Sequence, residues 1–595
     1  MALSQTLPTQ TSGSTGRARR ALSTVKVAWL VALITMLGLG LRVYGLAQGL
    51  PYEYVPDEST LVGGAVRMWA GQSLRPDTFI YPAFLMYLFG AEYLGLLVVG
   101  RLTGAFPSVV HFREFAFADP TLFYLLPRLT VALLGTATIS LVYLLGRRLY
   151  DERAGVLSAG LVAVSFMHVQ MSHQARHWVP LTFLALLVLW TSLDLAKHGR
   201  RRDYLLSGLL VGLAAATSFN GFLLLVLPAA GHWVRLRQGG RSLLDIGAHM
   251  PLLSTVLLAP ALFFALNPYV LLEADRFVAF HSSGESSIGG QIRGHYEGFF
   301  QQFLQRQGFA FFAEAVLAYD PAIALLGIVG AFLAVRRFPS TALLVLIYPL
   351  FHYLMFSTTS PSLEQRYMLP VVVLGSLPAG LAASLAGWFQ DRLKPVRWGS
   401  RLGALLAALL IAVVALASLR YDWLLAQPDT RTLTKEWIES RIPPGSEVAV
   451  ESYPPPLDPD PEGLRARQQA EPKSLGARDR WILEKGLPEG AVAYRLTRLN
   501  LADTSPAVDL LSPYLATHRI RYFVVSDFRW KSDHRGHQAL RAYLAQRGRL
   551  LATFSPGQAA GYVPSDLLNN LEDPWLELWR LERPGPRIEV YEVGE

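Results

Sequence analysis

Asp57 and Glu58 stand side by side in the stretch Pro51-Tyr-Glu-Tyr-Val-Pro-Asp-Glu-Ser59. The segment before it, Val27 to Leu46, is apolar and, at about 20 residues, long enough to cross a bilayer. The two carboxylates therefore sit at a membrane face. Carboxylates beside hydrocarbon are costly unless they are solvated, paired with cations or used in chemistry. Cations stand at comparable depth. Arg128 and Arg366 each lie at the mouth of an apolar run, and Arg176 lies in a very short turn between two others. A guanidinium there can hold a phosphate through its bidentate fork. An arginine at a span end also snorkels to the interface with no further role. His173 and His177 are four apart and can share a helical face. No acid is near them in sequence, so they read as capped or solvated histidines and no metal site is assigned.

These residues need a scaffold, and composition names it. The chain has 595 residues, 52% hydrophobic and only 17% charged. A soluble protein of this size carries more charge, so this reads as a polytopic α-helical membrane protein. The net charge of +9 is no nucleic-acid signal, because the basic residues fall in short links between apolar runs, as cytoplasmic loops require. There is no cysteine, which excludes disulfides, thiol catalysis and cysteine metal sites. The phosphate-binding glycine loop, Gly-x-Ser-x-Gly and His-Glu-x-x-His are all absent. Residues 1–23, rich in Ser, Thr and Gly, predict a disordered cytoplasmic tail, and the first apolar run reads as an uncleaved anchor.

Spans are expected at 27–46, 122–146, 154–170, 178–196, 204–219, 221–236, 249–270, 315–335, 340–357, 366–387 and 402–420, about eleven on the length rule. Arg17, Arg19, Arg20 and Lys26 place the N-terminus in the cytoplasm. The clusters at Arg147/Arg148/Arg153, Lys197/Arg200–Arg202, Arg235/Arg237/Arg241, Arg336/Arg337 and Arg392/Lys394/Arg397/Arg401 then all fall on that side. Counting Phe79–Val99 as one crossing would invert every later cluster. It is read instead as a juxtamembrane or re-entrant part of a first outer loop, 47–121. A second long outer loop covers 271–314. The membrane domain is 24–420. Residues 421–595 are rich in Pro, Arg, Asp and Glu, hold no further span, and predict an extracytoplasmic α/β domain. Within it Thr434–Ser440 reads as a helix, and Glu447–Glu451, Tyr522–Val525 and Ile588–Val593 read as strands.

A family resemblance now becomes specific. Pro56-Asp57-Glu58 follows the first span, with Tyr81-Pro82 downstream. Pro127-Arg-Leu-Thr130 opens a run that ends Leu145-Gly-Arg-Arg-Leu-Tyr150. Then come Ser172-His-Gln-Ala-Arg176, Pro180-Leu-Thr-Phe183, Gly212 to Gly221, Asn267-Pro-Tyr269 and Gln365-Arg-Tyr-Met-Leu-Pro370. In this order, over residues 25–420, the chain resembles the GT-C glycosyltransferases that use phospholipid-linked sugars, among them the protein O-mannosyltransferases and lipid A aminoarabinose transferases. Asp429 to Ile438 with Pro443-Pro-Gly445 resembles the tail of prokaryotic members.

The resemblance implies a hexosyl- or pentosyltransferase in the plasma membrane. A sugar moves from a polyprenyl-phosphate carrier to a hydroxyl of a glycan, lipid or protein acceptor. Such chemistry needs a carboxylate to orient and deprotonate the acceptor and cations to hold the departing phosphate. By motif match Asp57 is the base, and Glu58 binds acceptor or sugar. Arg128, Arg366 and Arg176 are the candidate phosphate ligands. Tyr81, His173, Glu285, Arg293 and His295 are candidate acceptor, sugar or lid contacts; the last three lie in a Gly-rich stretch, 281–298. No cofactor is called for, though a divalent metal is compatible with the reaction. The chain departs from its relatives at Trp178, where they often carry an acid; Asp119, Glu285 and Glu297 are the substitutes. Two other classes stay open: a non-catalytic scaffold or lipid-binding protein of the same fold, and a secondary transporter, which sparse intramembrane charge disfavours.

Overall fold

The structure, a computed structural model, describes residues 12–55, 57–242, 244–282, 307–359, 363–392, 399–470, 475–488, 490–499, 501, 520–559 and 561–594. Nine of the described helices are long and apolar enough to cross a membrane, or up to eleven when two bent pairs are each taken as one span. Runs of this kind become helices in lipid because every backbone N–H and C=O must find its partner within the segment. Helices 121–149 and 152–164 form a tight hairpin. A Cβ on Gly146 would come within 2.7 Å of Gly155 Cα, so only small residues allow this approach.

Two of the expected spans are not continuous. The run expected at 154–170 breaks into Glu152–Val164 and Phe166–Ser172, bent by 57°, and that expected at 315–335 sits on a 111° break between Gln307–Tyr319 and Pro321–Arg337. A broken helix leaves orphan carbonyls at one end and orphan N–H groups at the other, and neither is tolerated in a dry interior. Arg42, fully buried, donates to Val162 O and Ala163 O, each at 3.0 Å. Ser418 Oγ donates to Val164 O at 2.8 Å. On the far side, the Phe166 and Met167 N–H groups donate to Asp320 at 3.0 and 3.2 Å, and Ser165 Oγ donates to it at 3.0 Å. Asp320 itself stands at the second break, where its side chain makes no capping bond, so its buried carboxylate ties the second break to the first. The breaks set the turn at 173–177, which carries the site.

The segment expected to be juxtamembrane is a helix, Phe84–Thr103, that meets the length and apolarity of a span. Its start is held by Asn267, whose side-chain oxygen accepts from Phe84 N at 3.2 Å. Midway, Tyr93 Oη donates to Phe123 O at 2.8 Å. Gly100 packs on Phe106, which meets Phe112 edge-on, and Phe112 lies tilted against Phe123. Helix Phe84–Thr103 packs chiefly on helix Glu58–Gly71, whose Leu61, Val62, Ala65 and Met68 share one core with Leu85, Met86, Phe89 and Tyr93, and on the N-terminal end of 121–149.

The C-terminal region carries a six-stranded mixed sheet: β1 (Glu447–Val450), β2 (Asp458–Pro459), β3 (Ala493–Arg498), β4 (Tyr522–Asp527), β5 (Gly548–Phe554) and β6 (Arg587–Val593). The order is β2-β3-β1-β4-β6-β5. β1 runs parallel to both β3 and β4, while β6 runs antiparallel to β4 and β5. The helix expected at 434–440 runs Thr430–Arg441. Segment 562–581 ties the domain to the bundle. Gln170 Nε2 donates to Leu568 O at 3.0 Å, Tyr319 Oη to Leu571 O at 2.8 Å, and Arg420 Nε to Leu578 O at 3.0 Å. Leu568, Leu571, Leu578 and Leu581 share one apolar core with the membrane helices.

A charged knot lies under the sheet. His537 Nδ1 is 3.0 Å from Glu451 Oε1 and its Nε2 is 2.7 Å from Asp527 Oδ1. Burial disfavours the imidazolium, but these two carboxylates outweigh it and raise the His537 pKa above its ordinary value. A group whose pKa is raised on folding stabilises the fold fully below its unfolded pKa, about 6.5 for histidine. That contribution is lost as pH rises through the folded value. The thermal midpoint of the detergent-solubilised protein should therefore fall on going from pH 6 to pH 8, and fall less in His537→Gln. Equal falls in the two proteins would remove His537 from the account.

Candidate active site

Asp57 has φ of 67°, a left-handed conformation that a residue other than glycine adopts at a cost. It is the N-cap residue of helix Glu58–Gly71, yet its side chain makes no capping bond. An aspartate there ordinarily caps the helix. This one turns its carboxylate away, toward two arginines. Asp57 Oδ2 pairs with Arg176 Nη2, and Arg366 Nη2 lies 3.3 Å from the same oxygen. Arg366 Nη1 in turn pairs with Glu364. The Asp57 side chain is 36% exposed while Arg176 is 2% and Arg366 11% exposed. The accessible group of the cluster is therefore the carboxylate, and the buried ones are the cations.

The two arginines are not satisfied. The Nε atoms of Arg176 and Arg366 are buried, and neither has a hydrogen-bond partner among the described residues. A buried guanidinium N–H without an acceptor is expensive, and both orphans flank one carboxylate. The arrangement suits an anion with several oxygens. Arg176 is steadied by Gln174, whose Oε1 accepts from Nη1 at 3.2 Å.

Glu58, next in sequence, has a different setting. It is fully buried and accepts from Arg128 through both oxygens, at 3.0 Å from Nε and 2.7 Å from Nη2. Its Oε1 also accepts from Ala175 N at 2.7 Å. Arg128 gives its remaining nitrogen to Leu46 O and Gln48 O, at 2.8 and 2.9 Å. Acid and cation are committed to each other and to the backbone. Their bonds pin the end of the first span and the turn at 175 together, which holds Asp57 against Arg176.

Tyr81 lies tilted against His177 with ring centroids 4.9 Å apart. Burial first, then the Asp57 charge, pushes its hydroxyl up to about 12, so it stays a donor at neutral pH. His173 is buried, with Nδ1 2.9 Å from Val169 O and Nε2 2.9 Å from Tyr44 O. The two histidines thus face different partners and do not share a ligand position. Among the described residues no group of three or more His, Asp or Glu could hold a metal ion. Glu285, Arg293, His295 and Glu297, with most of the 281–298 stretch, lie outside the described residues. Asp119 accepts from Thr121 N at 3.0 Å, capping the turn into helix 121–149.

Glu364 was missed in the sequence, although it stands directly before Gln365-Arg366. Burial raises its carboxyl pKa, against the pull of Arg366 and Arg176. From the C-terminal domain, Leu567 and Asn569 line a cavity with Val55, Arg128 and Gln174, and no local signal in the sequence marks them.

The family model for dolichyl-phosphate-mannose-protein mannosyltransferase matches residues 126–265. No curated protein matches the chain. Among solved structures, the apo oligosaccharyltransferase of Archaeoglobus fulgidus is 11% identical. The match covers 95% of this chain and 88% of that chain, with a TM-score of 0.50. ArnT from Cupriavidus metallidurans bound to undecaprenyl phosphate is 16% identical over 96% of this chain and 98% of that one, with a TM-score of 0.47. AglB from Archaeoglobus fulgidus, in complex with an inhibitory peptide and a dolichol-phosphate, is 12% identical over 90% and 74%, also at 0.47.

Proposed function

We propose that this chain, a membrane protein with the fold of the GT-C superfamily, moves a sugar from a polyprenyl-phosphate carrier to an acceptor hydroxyl at the outer face of the membrane. The observation that carries this is the pair of buried, unpartnered Nε–H groups on Arg176 and Arg366, either side of the accessible Asp57 carboxylate. The family model over residues 126–265 supports it, since its description names a lipid-phosphate-linked sugar, dolichyl-phosphate-mannose. The outer face is supported by position. The site lies at the end of the bundle opposite the basic links at Arg147/Arg148 and Arg336/Arg337, which the positive-inside pattern puts in the cytoplasm.

The chemistry follows from charge. The carrier phosphate occupies the two orphan donors and competes with Asp57 for the arginines. Asp57 is then freed to accept the proton of the acceptor hydroxyl. The acceptor oxygen bonds to the anomeric carbon, the bond from that carbon to the phosphate oxygen breaks, and the electron pair leaves with the phosphate. The arginines hold the charge that grows there. Arg128, which the sequence also offered as a phosphate ligand, is in this reading the partner of Glu58 and a positioning residue, and Glu58 contacts neither acceptor nor sugar.

The test is purified protein in lipid with a panel of polyprenyl-phosphate sugars, read as release of free carrier. Arg366→Ala should weaken carrier binding about 10- to 100-fold, the loss of a charge-assisted bond of about 1.5–3 kcal/mol. If no member of the panel releases carrier, or Arg366→Ala and Arg176→Ala both bind carrier as the parent does, the reading fails.

A further inference from the structure

β1 has β3 on one side and β4 on the other, both parallel to it. The chain runs from β1 outward to β3 and then back across to β4, so the gap between β1 and β4 is a topological switch point. Ligand crevices in open parallel sheets form beyond the carboxyl ends of the strands at such a point. Here those ends lead into Glu451-Ser-Tyr453 after β1 and Phe528-Arg-Trp530 after β4.

The three aromatic rings form one cluster. Phe528 and Trp530 lie nearly parallel, at 8° with centroids 6.0 Å apart. Tyr453 stands edge-on to both, at 5.4 and 6.5 Å. Phe528 is buried underneath, while Trp530 is 37% exposed. Lys531 is buried behind the rings, and its Nζ donates to Ser526 O at 2.8 Å and Ser452 O at 3.2 Å, clamping the two strand ends.

This cluster belongs with the transfer site. Burial first, then the carboxylates of Asp566, Asp57 and Glu364, raise the Tyr453 hydroxyl pKa. Arg529 N donates to Pro564 O at 2.9 Å, which joins the end of β4 to segment 562–581, and Leu567 and Asn569 of that segment line one cavity with Val55 and Gln174, each two residues from Asp57 or Arg176. Backbone strain converges here too. Among the described residues only Asp57, Gln72 and Tyr453 combine a side chain with positive φ. Tyr453, at 61°, also precedes Pro454, which itself disfavours compact backbone conformations. Ser526 Oγ holds it by donating to its carbonyl at 3.0 Å. Strain of this kind persists where the surroundings impose it, and it gathers at functional sites.

We propose that Tyr453 and Trp530 form the acceptor subsite and that the acceptor is a carbohydrate, one ring of which stacks on Trp530 while Asp566 accepts hydrogen bonds from its hydroxyls. This rests on the transferase reading above. A pyranose or furanose ring offers an apolar C–H face and a rim of hydroxyls, and a flat aromatic beside a carboxylate answers both. An extended peptide would use a free strand edge, but the sheet's edges are β2 and β5, and the crevice lies at the sheet's centre.

The experiment uses the full chain in lipid nanodiscs with the carrier-linked sugar selected by the release assay. Acceptors are methyl glycosides, α- and β-linked disaccharides, and Ser/Thr peptides, and both transfer and hydrolysis of the donor by water are followed. The saccharides should accept. Trp530→Ala should raise the acceptor KM roughly tenfold, by loss of ring stacking, with kcat little changed and the ratio of transfer to hydrolysis reduced. Trp530→Phe should restore most of it. Transfer to peptides with no saccharide accepted overturns the inference, as does an acceptor KM in Trp530→Ala equal to that of the parent. Absence of both transfer and donor hydrolysis in the parent overturns the transferase reading itself, and this inference with it.

Discussion

Asp57→Asn should lower the rate of sugar transfer by roughly 10²–10⁴-fold, the range for loss of a general base. Size and polarity are kept, so the helix at Glu58–Gly71, which Asp57 does not cap through its side chain, should be unaffected. Carrier binding should survive, and even strengthen, because Arg176 and Arg366 lose the carboxylate that holds them. Rate and binding thus move in different directions. A variant that transfers sugar at the parent's rate would take the base away from Asp57 and leave Glu364, the other acid on Arg366, as the candidate.

The second large effect is on stability. Arg128→Met should cost about 3–5 kcal/mol, the penalty for stripping one partner from a buried ion pair. Glu58 would be left charged, fully buried, and bonded to the Ala175 N–H alone. The double variant Arg128→Met/Glu58→Leu removes the stranded charge with its partner and should recover much of the loss, since apolar replacement of a buried pair is often close to neutral. Thermal unfolding in detergent reads both. An Arg128→Met protein as stable as the parent but weak in carrier binding would return Arg128 to the phosphate, where sequence alone also allowed it.

Much of the architecture was legible in the chain. Apolar run length determines which segments can cross a bilayer, because rise per residue and membrane thickness are both constant. The helical membrane domain and the α/β character of residues 421–595 followed from that and from the strand-like runs at 447, 522 and 588. The order of short motifs, with an acidic pair after the first span, was enough to point to the GT-C fold. Arg42, a charge inside an apolar run, was not singled out in the sequence. It meets carbonyls 120 and 121 residues away.

What the sequence left open is which charge meets which. Asp57 and Glu58 are neighbours, yet one is accessible between two arginines and the other is sealed against a third. Glu58 and Arg128 are 70 residues apart, and Asp57 and Arg366 are 309 apart. Nothing local couples such residues. Helix packing does, through the break at Ser165 that sets the turn at 173–177 and the left-handed backbone at Asp57 that turns its carboxylate off the helix. Leu567 and Asn569 line a cavity with Val55, Arg128 and Gln174 only because the C-terminal domain docks on the bundle through segment 562–581. The residue types and their order lay in the chain; their pairing, and the two orphan donors beside Asp57, came from tertiary packing, because only packing decides which buried groups go without a partner.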